Sequence, residues 1–378
     1  MTYKIVKNFP QDLPFDKEGP FVSIYQTTQV QPFDKGNVIT FKNLMKEALN
    51  RIEERYDKRI VEKFALPLQE IVGDLDFWLY ATQGIAVYVN QEECIVFRLN
   101  QPVENHVYVQ DNIVIRPAIA TFQNQISAYV LALTKDYFHV YECDFVSIKK
   151  VELPESIETT IKEVLGDQKT DAYVGFGSTG NRNSTGLFYG QGGKKEEVDL
   201  DTEKFFRYTD KTIVEELSKK RSIPLILASV SKNQTVFRKI SNNPNLFVEG
   251  ITQSPDSLTE EQLCEHVREV LQPEKRKRLQ VLVERGAKAL ADQRASDLID
   301  EIAQAAVSGQ IESLLIDYDK RYLATIDWPS LKIVKNSADH DTDIFDEIAK
   351  VVLKNRGKVF IIDSVMMPTT TGICAIYR

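Results

Sequence analysis

Cysteine is scarce: Cys94, Cys143, Cys264 and Cys374 are spread over 378 residues with no C-x-x-C pair among them. That excludes a disulfide-stapled scaffold and a zinc ribbon. The four are expected to be buried small hydrophobes in a reducing compartment. Histidine is equally thin, and no two of His106, His139, His266 and His340 stand at the i, i+4 spacing of a helical metal site. No run of 18 or more apolar residues exists, which argues against a membrane-spanning helix. The opening Met1-Thr2-Tyr3-Lys4-Ile5-Val6-Lys7-Asn8 lacks the apolar core of a secretory signal. A cytoplasmic chain with no membrane partner is expected. Serine-hydrolase, P-loop and kinase motifs are missing as well. So is any basic excess, since the net charge is −8 and nucleic-acid contact must therefore come from a local surface.

What is present is ordinary soluble-protein composition, with 43% hydrophobic and 27% charged residues. At ~150 residues per domain, this length predicts two or three domains. Phe21-Val22-Ser23-Ile24-Tyr25 reads as a strand, and Phe41, Leu44, Met45, Ala48, Leu49 and Ile52 recur at helical spacing. Apolar runs at 77–81, 85–89, 94–98, 107–109 and 113–116 predict a meander, closing an α+β N-terminal domain near residue 124.

Strands follow at Ser127 to Leu133, Tyr137 to Tyr141 and Phe145 to Val151. Residues 175–193 then hold seven of the 17 glycines and no acid, the pattern of a long loop. Phe206, Thr209, Ile213 and Leu217 take up helical spacing behind the acids Asp199, Asp201 and Glu203. Ile223 to Ala228 is a near-continuous apolar run, the mark of a strand buried on both faces. An α/β middle domain ending near residue 255 is predicted. Beyond it come helices over 259–271 and 274–307 with Pro273 between them, strands at Ile311 to Ile316 and Lys358 to Asp363, a helix over 343–354, and a terminal strand at Gly372 to Tyr377. The C-terminal third is expected to be an α/β/α unit.

Gly175-Phe176-Gly177-Ser178-Thr179-Gly180 fits the dinucleotide fingerprint, but Asn181 to Gly186 is a poor start for the helix that fingerprint needs. His340 among Asp339, Asp341 and Asp343 could hold a hard cation, against which Asp341 or Asp343 reads better as a helix cap. No metal or cofactor site is assigned. Lys275-Arg276-Lys277-Arg278 splays around a helix and reads as a solvated face. Ser178 to Lys195 is the remaining candidate. It carries Arg182, Lys194 and Lys195 with no acid, a local excess of +3. Its end, Tyr189-Gly190-Gln191-Gly192-Gly193-Lys194-Lys195, joins glycines that allow close backbone approach to one amide and a cationic flank. Arg182, Tyr189, Lys194 and Lys195 suit an RNA backbone; the bland alternative is a flexible solvent loop.

The order of parts resembles the archaeo-eukaryotic peptide-chain release factor and Pelota superfamily. Its middle domain is resembled by residues 128–141, Gly190-Gln191-Gly192-Gly193, the helix after it, Pro224-Leu225-Ile226-Leu227-Ala228 and Phe237-Arg238-Lys239-Ile240-Ser241. Its C-terminal domain is resembled by residues 298–316 and the closing Gly372-Ile373-Cys374-Ala375-Ile376-Tyr377-Arg378. Pro20-Phe21-Val22-Ser23-Ile24-Tyr25 is similar to the bacterial archaeo-eukaryotic release factor branch. The resemblance implies domains at 1–124, 125–255 and 256–378: an N-terminal α+β domain, a ribonuclease-H-like middle domain and an L30e-like C-terminal domain. It implies a ribosome or tRNA partner, and a protein partner through the C-terminal domain. In release factors a Gly-Gly-Gln loop helps water attack the peptidyl-tRNA ester by positioning and preorganised dipoles. Gly190, Gln191, Gly192 and Gly193 are the catalytic candidates here, with Gln191 before the glycine pair instead of after it. No stop-codon-reading motif is recognisable, so codon-independent rescue is expected over termination. The alternatives are a non-catalytic RNA-binding or adaptor protein and a metal-dependent nuclease using Asp136 and Asp144.

Overall fold

The computed structural model describes residues 3–15, 17, 19–30, 35–123, 126–143, 148–166, 191–335 and 342–378. It is a mixed α/β protein with several sheets. The chain gathers into two compact units, residues 1–125 together with 275–378, and residues 126–274.

The first unit begins with β1 (Lys4–Val6), β2 (Phe21–Thr27), α1 (Lys35–Glu53), α2 (Lys58–Gly73), α3 (Leu75–Leu79), β3 (Gly84–Val89), β4 (Cys94–Leu99), β5 (His106–Gln110) and α4 (Arg116–Phe122). Its five-stranded sheet runs β1-β4-β3-β2-β5, antiparallel except for the β1–β4 pair. Alternate residues Val22, Ile24, Ile85, Val87 and Val96 face Phe41, Ala48, Phe64 and Leu68 of the helices. On the other face Tyr25 and Tyr88 share a buried hydroxyl pair 2.6 Å apart, and Tyr25 also donates to the Val114 carbonyl at 2.8 Å. Burial on both faces explains why β3 carries no polar side chain apart from the Tyr88 hydroxyl.

The second unit holds β6 (Ala128–Leu133), β7 (Phe138–Cys143), β8 (Ile148–Lys150), α5 (Ile161–Leu165), α6 (Gln191–Ile213), β9 (Leu225–Ala228) and α7 (Ser231–Ile240). A π-helical turn, Val214–Ser218, extends α6. The sheet order is β8-β7-β6-β9, with β9 parallel to β6. Leu131, Leu133, Leu225 and Leu227 pack on Phe205, Phe206, Ile213 and Phe237 on one face, while Ala128, Val130, Ile226 and Ala228 pack on Leu263, Val267 and Leu271 on the other. Helix α8 (Glu260–Ala291) supplies those last three residues.

Next come β10 (Ala295–Ser296), α9 (Ile299–Val307), β11 (Ile311–Asp317), β12 (Ala324–Asp327), β13 (Lys332–Lys335), α10 (Ile344–Lys354), β14 (Lys358–Ile362) and β15 (Ile373–Tyr377). They belong to the first unit, where β10-β15-β11-β14 form a sheet with β11 and β14 parallel. Leu315, Ile362 and Cys374 of this sheet pack against Leu279, Leu282, Val283 and Leu290 of α8. Gln123, just after α4, donates to the Ile361 carbonyl at 2.9 Å and accepts from the Ile361 amide, completing an amide pair with β14.

Several elements differ from the sequence expectation. Residues 77–81 are helical at Leu75–Leu79, because Asp74 caps them by accepting from the Phe77 amide at 2.9 Å. Residues 113–116 are not a strand; Arg116 opens α4 with Pro117 in its first turn. Pro273 lies inside α8 instead of between two helices. Apolar contacts on both sides of it, from Leu263 to Leu271 and from Leu279 to Leu290, hold the helix through the missing hydrogen bond. α8 ends at Ala291, and α9 replaces the last part of the expected 274–307 helix. Among the described residues helix α6 runs from Gln191, eight residues before Asp199, so Gln191, Gly192 and Gly193 are helical and not the end of a loop. The acids Asp199 and Asp201 therefore lie beyond its first turn.

Candidate functional site

The sequence candidates fall into two groups. Arg182, Tyr189 and Gly190 lie outside the described residues. Gln191, Gly192, Gly193, Lys194 and Lys195 are brought together at the start of α6. Each of the two glycines costs the helix about 1 kcal/mol relative to alanine.

The body of α6 is fixed by its apolar stripe. Phe205, Phe206 and Ile213 are fully buried, and Phe206 meets Phe237 of α7 edge-on, with ring centroids 6.0 Å apart. Burial of each large side chain contributes about 1.5–3 kcal/mol. Polar pins add direction. The Asp210 carboxylate accepts from the Asn242 amide at 2.9 Å and from the Ser241 hydroxyl, tying α6 to the end of α7.

About 12 Å along the helix from Gln191, at ~1.5 Å per residue, Asp199 faces Lys135 of the β6–β7 turn at 4.0 Å and Lys232 of α7 at 3.1 Å. These groups edge a hollow of about 450 Å³ that Leu200, Asn233 and Val236 also line. The pairs are half-exposed, so each is worth at most about 1 kcal/mol.

The nuclease candidates are not assembled. Asp136 sits in the β6–β7 turn, its amide donating to Thr134 Oγ1 at 3.2 Å and its carbonyl accepting from the Ile161 amide at 2.8 Å. Asp144 lies outside the described residues. Near Asp136, the Tyr137 hydroxyl donates to the Asp256 carboxylate. Burial, with that bond, pushes Tyr137 up to about 12. His139 is pushed down by burial and by Lys150, which favours its neutral form. The Gly175–Gly180 fingerprint, Asp339, His340 and Asp341 also fall outside the described residues. Asp343 is the cap of α10, accepting from the Phe345 amide at 3.0 Å. Among the described residues no cluster of three His, Cys, Asp or Glu side chains could hold a metal ion. No described helix is long and apolar enough to cross a membrane.

Sequence reasoning missed a buried charge cluster in the first unit. Arg116 donates to Asp343, to Asp346 at 3.3 Å and to the Lys320 carbonyl at 2.6 Å. Its side chain is 10% exposed and those of both acids 6%. One guanidinium thus faces two carboxylates, an excess of one buried negative charge. Burial pushes Asp343 up to about 6, with Arg116 pulling the other way and Asp346 reinforcing the rise. Glu347, accepting from the Ile326 amide at 2.9 Å, is also raised by burial. A cavity of about 340 Å³ opens beside the cluster, lined in part by His106, Tyr108 and Arg321, with the Arg321 guanidinium 5.8 Å from the Tyr108 ring centroid. The sequence signal was available: an arginine inside Val114-Ile115-Arg116-Pro117, and acids at 343, 346 and 347 on an otherwise apolar helix.

The start of α6 lies inside a segment that known proteins share. Residues 129–310 match the family model for Bacterial archaeo-eukaryotic release factor family 3. No curated protein matches the chain. Solved structures similar to it include the archaeal translation termination factor aRF1, at 12% identity and TM-score 0.24 over 96% of this chain and 93% of that one. Archaeoglobus fulgidus Pelota is 13% identical with TM-score 0.34, over 78% of each chain. S. cerevisiae Dom34, described as a translation termination-like factor, is 14% identical with TM-score 0.33, over 78% of this chain and 73% of its own. The stretch 129–310 is therefore similar to the bacterial archaeo-eukaryotic release factor family.

Proposed function

We propose that this protein is a ribosome- or tRNA-directed translation factor that brings the segment around Gly190 to Lys195 to the acceptor end of tRNA. The observation that carries the reading is the family match across the segment holding Gly190-Gln191-Gly192-Gly193. An acid-free cationic stretch in a chain of net charge −8 supports it, since phosphate contact needs a local positive surface. Three functional segments, 1–124, 125–255 and 256–378, belong to this reading. The middle one is ribonuclease-H-like and acts on the tRNA; the last is L30e-like and meets a protein partner. The setting is the cytoplasm.

The chemistry proposed is codon-independent release of peptidyl-tRNA, as in ribosome rescue. Ester hydrolysis by this route needs no titratable base on the protein, because an amide side chain and backbone N–H groups position the water and stabilise the developing oxyanion. Gln191 and the amides of Gly192 and Gly193 are assigned those roles, while Arg182, Tyr189, Lys194 and Lys195 hold the RNA. With Gln191 ahead of the glycine pair, the amide stands two residues from its place in a Gly-Gly-Gln order, about 3 Å along a helix at ~1.5 Å per residue.

The test is single-turnover peptidyl-tRNA release on stalled ribosomes by wild type and by Gln191→Ala, Gly192→Ala and Gly193→Ala variants. Release lost at least tenfold in the variants supports catalysis. Equal release by all four proteins removes the catalytic form and leaves docking. Lys194→Ala with Lys195→Ala should weaken ribosome co-sedimentation and flatten its salt dependence by roughly 1.4–1.8 in log–log slope. An unchanged slope removes the RNA contact itself.

A further inference from the structure

Cys143, the last residue of β7, and Cys264, in the first turns of α8, bring their Sγ atoms to 2.8 Å although they stand 121 positions apart. Both are buried, 2% and 3% exposed, inside the apolar cluster of Ala128, Val130, Ile226 and Leu263. The other two cysteines offer a contrast. Cys94 on β4 and Cys374 on β15 are also buried, and burial pushes each thiol up to about 12, but neither is paired with a second sulfur.

We propose that Cys143 and Cys264 form a redox modification site, a dithiol that a peroxide converts to an intramolecular disulfide joining β7 to α8. The contact decides the outcome of oxidation. One sulfur attacks the peroxide O–O bond, becoming a sulfenic acid and releasing water. The second sulfur then displaces the sulfenic oxygen, which leaves as a second water. Two S–H bonds are lost, one S–S bond is gained, and the peroxide is reduced to two waters. A disulfide holds its sulfurs at about 2.05 Å, so closing the pair requires less than about 1 Å of relative movement. Burial selects the oxidant: a small neutral peroxide can reach the pair through local opening, whereas bulky disulfides cannot. A dithiol reductant reverses the step by exchange once the segment opens.

The experiment treats the purified full chain with hydrogen peroxide, quenches in acid, denatures, alkylates and maps peptides by mass spectrometry. The expected result is two alkylated cysteines, Cys94 and Cys374, in place of four, a linked Cys143–Cys264 peptide, and recovery of all four after dithiothreitol. In Cys143→Ser and Cys264→Ser, the remaining sulfur of the pair should be trapped by dimedone as a sulfenic acid. Should either variant fail to fold, the wild-type map alone decides. Four alkylated cysteines after peroxide, or oxidation confined to Cys94 or Cys374, overturns the proposal.

Discussion

Replacing Arg116 with Met removes the only cation bonded to both Asp343 and Asp346 among the described residues, while keeping a side chain of similar length. Breaking a buried ion pair by deleting one partner costs about 3–5 kcal/mol, since the uncompensated charge stays buried. The pH dependence identifies the cause. Asp343 already sits near 6 in the folded protein, above the ~3.9 of an unfolded chain. A raised carboxyl favours the folded state fully below the unfolded value, and that contribution falls away between about pH 4 and 6. Without Arg116 the carboxyl rises further, so the window in which stability is lost moves up toward neutrality. The expected loss for Arg116→Met is therefore about 3–5 kcal/mol at pH 7.5 and less than half that at pH 5. Urea unfolding followed by tryptophan emission reads this, because Trp78 and Trp328 both lie in the first unit. A loss equal at the two pH values, or below about 1 kcal/mol at pH 7.5, would refute the reasoning.

Two further substitutions probe the second unit, followed by far-UV circular dichroism since it holds no tryptophan. Phe206→Ala empties the contact between α6 and α7 and should cost about 3–5 kcal/mol; a cost below 1 would mean that the stripe does not fix α6. Gly250→Ala would place a Cβ 2.7 Å from the Leu227 carbonyl and 2.7 Å from Gln234 Oε1. Thermal midpoints should fall by the equivalent of about 1–3 kcal/mol, and an unchanged midpoint would contradict the close packing there.

Much of the second unit's sheet was legible because its signals are local. Ile223 to Ala228 reads as a doubly buried strand and is one, β9, lying parallel to β6. The Thr134-Lys135-Asp136 turn separates two strands of the expected type, with Thr134 Oγ1 accepting from the Asp136 and Tyr137 amides. The failures share a cause, which is that tertiary partners decide what a short segment becomes. Phe77 to Ala81 has the composition of a strand, yet a single cap from Asp74 and burial of Phe77 and Trp78 make it a helical turn. Helix α2 runs unbroken through Pro67, a residue that disfavours a helix interior, and its buried face of Phe64, Leu68 and Ile71 decides the outcome. The β12–β13 hairpin, with Ala324 and Ile326 as its buried positions, is too short to stand out. At the candidate site, the residue types at 191–195 were readable, but their helical conformation was not, because glycine is a poor helix former.

The first unit is assembled from residues 1–125 and 275–378, with residues 126–274 between them in the sequence, and this has a consequence for synthesis. Arg116 leaves the ribosome 227 residues before Asp343. At about 5–20 residues per second, that is a wait of roughly 10–45 s. During it, the arginine and the tyrosine-lined face of β2 and β3 have no C-terminal segment to close over them, whereas residues 126–274 can already fold. The nascent chain should therefore complete its middle first and its beginning last. A pause or truncation after residue 274 would leave a finished second unit attached to an unfinished first one.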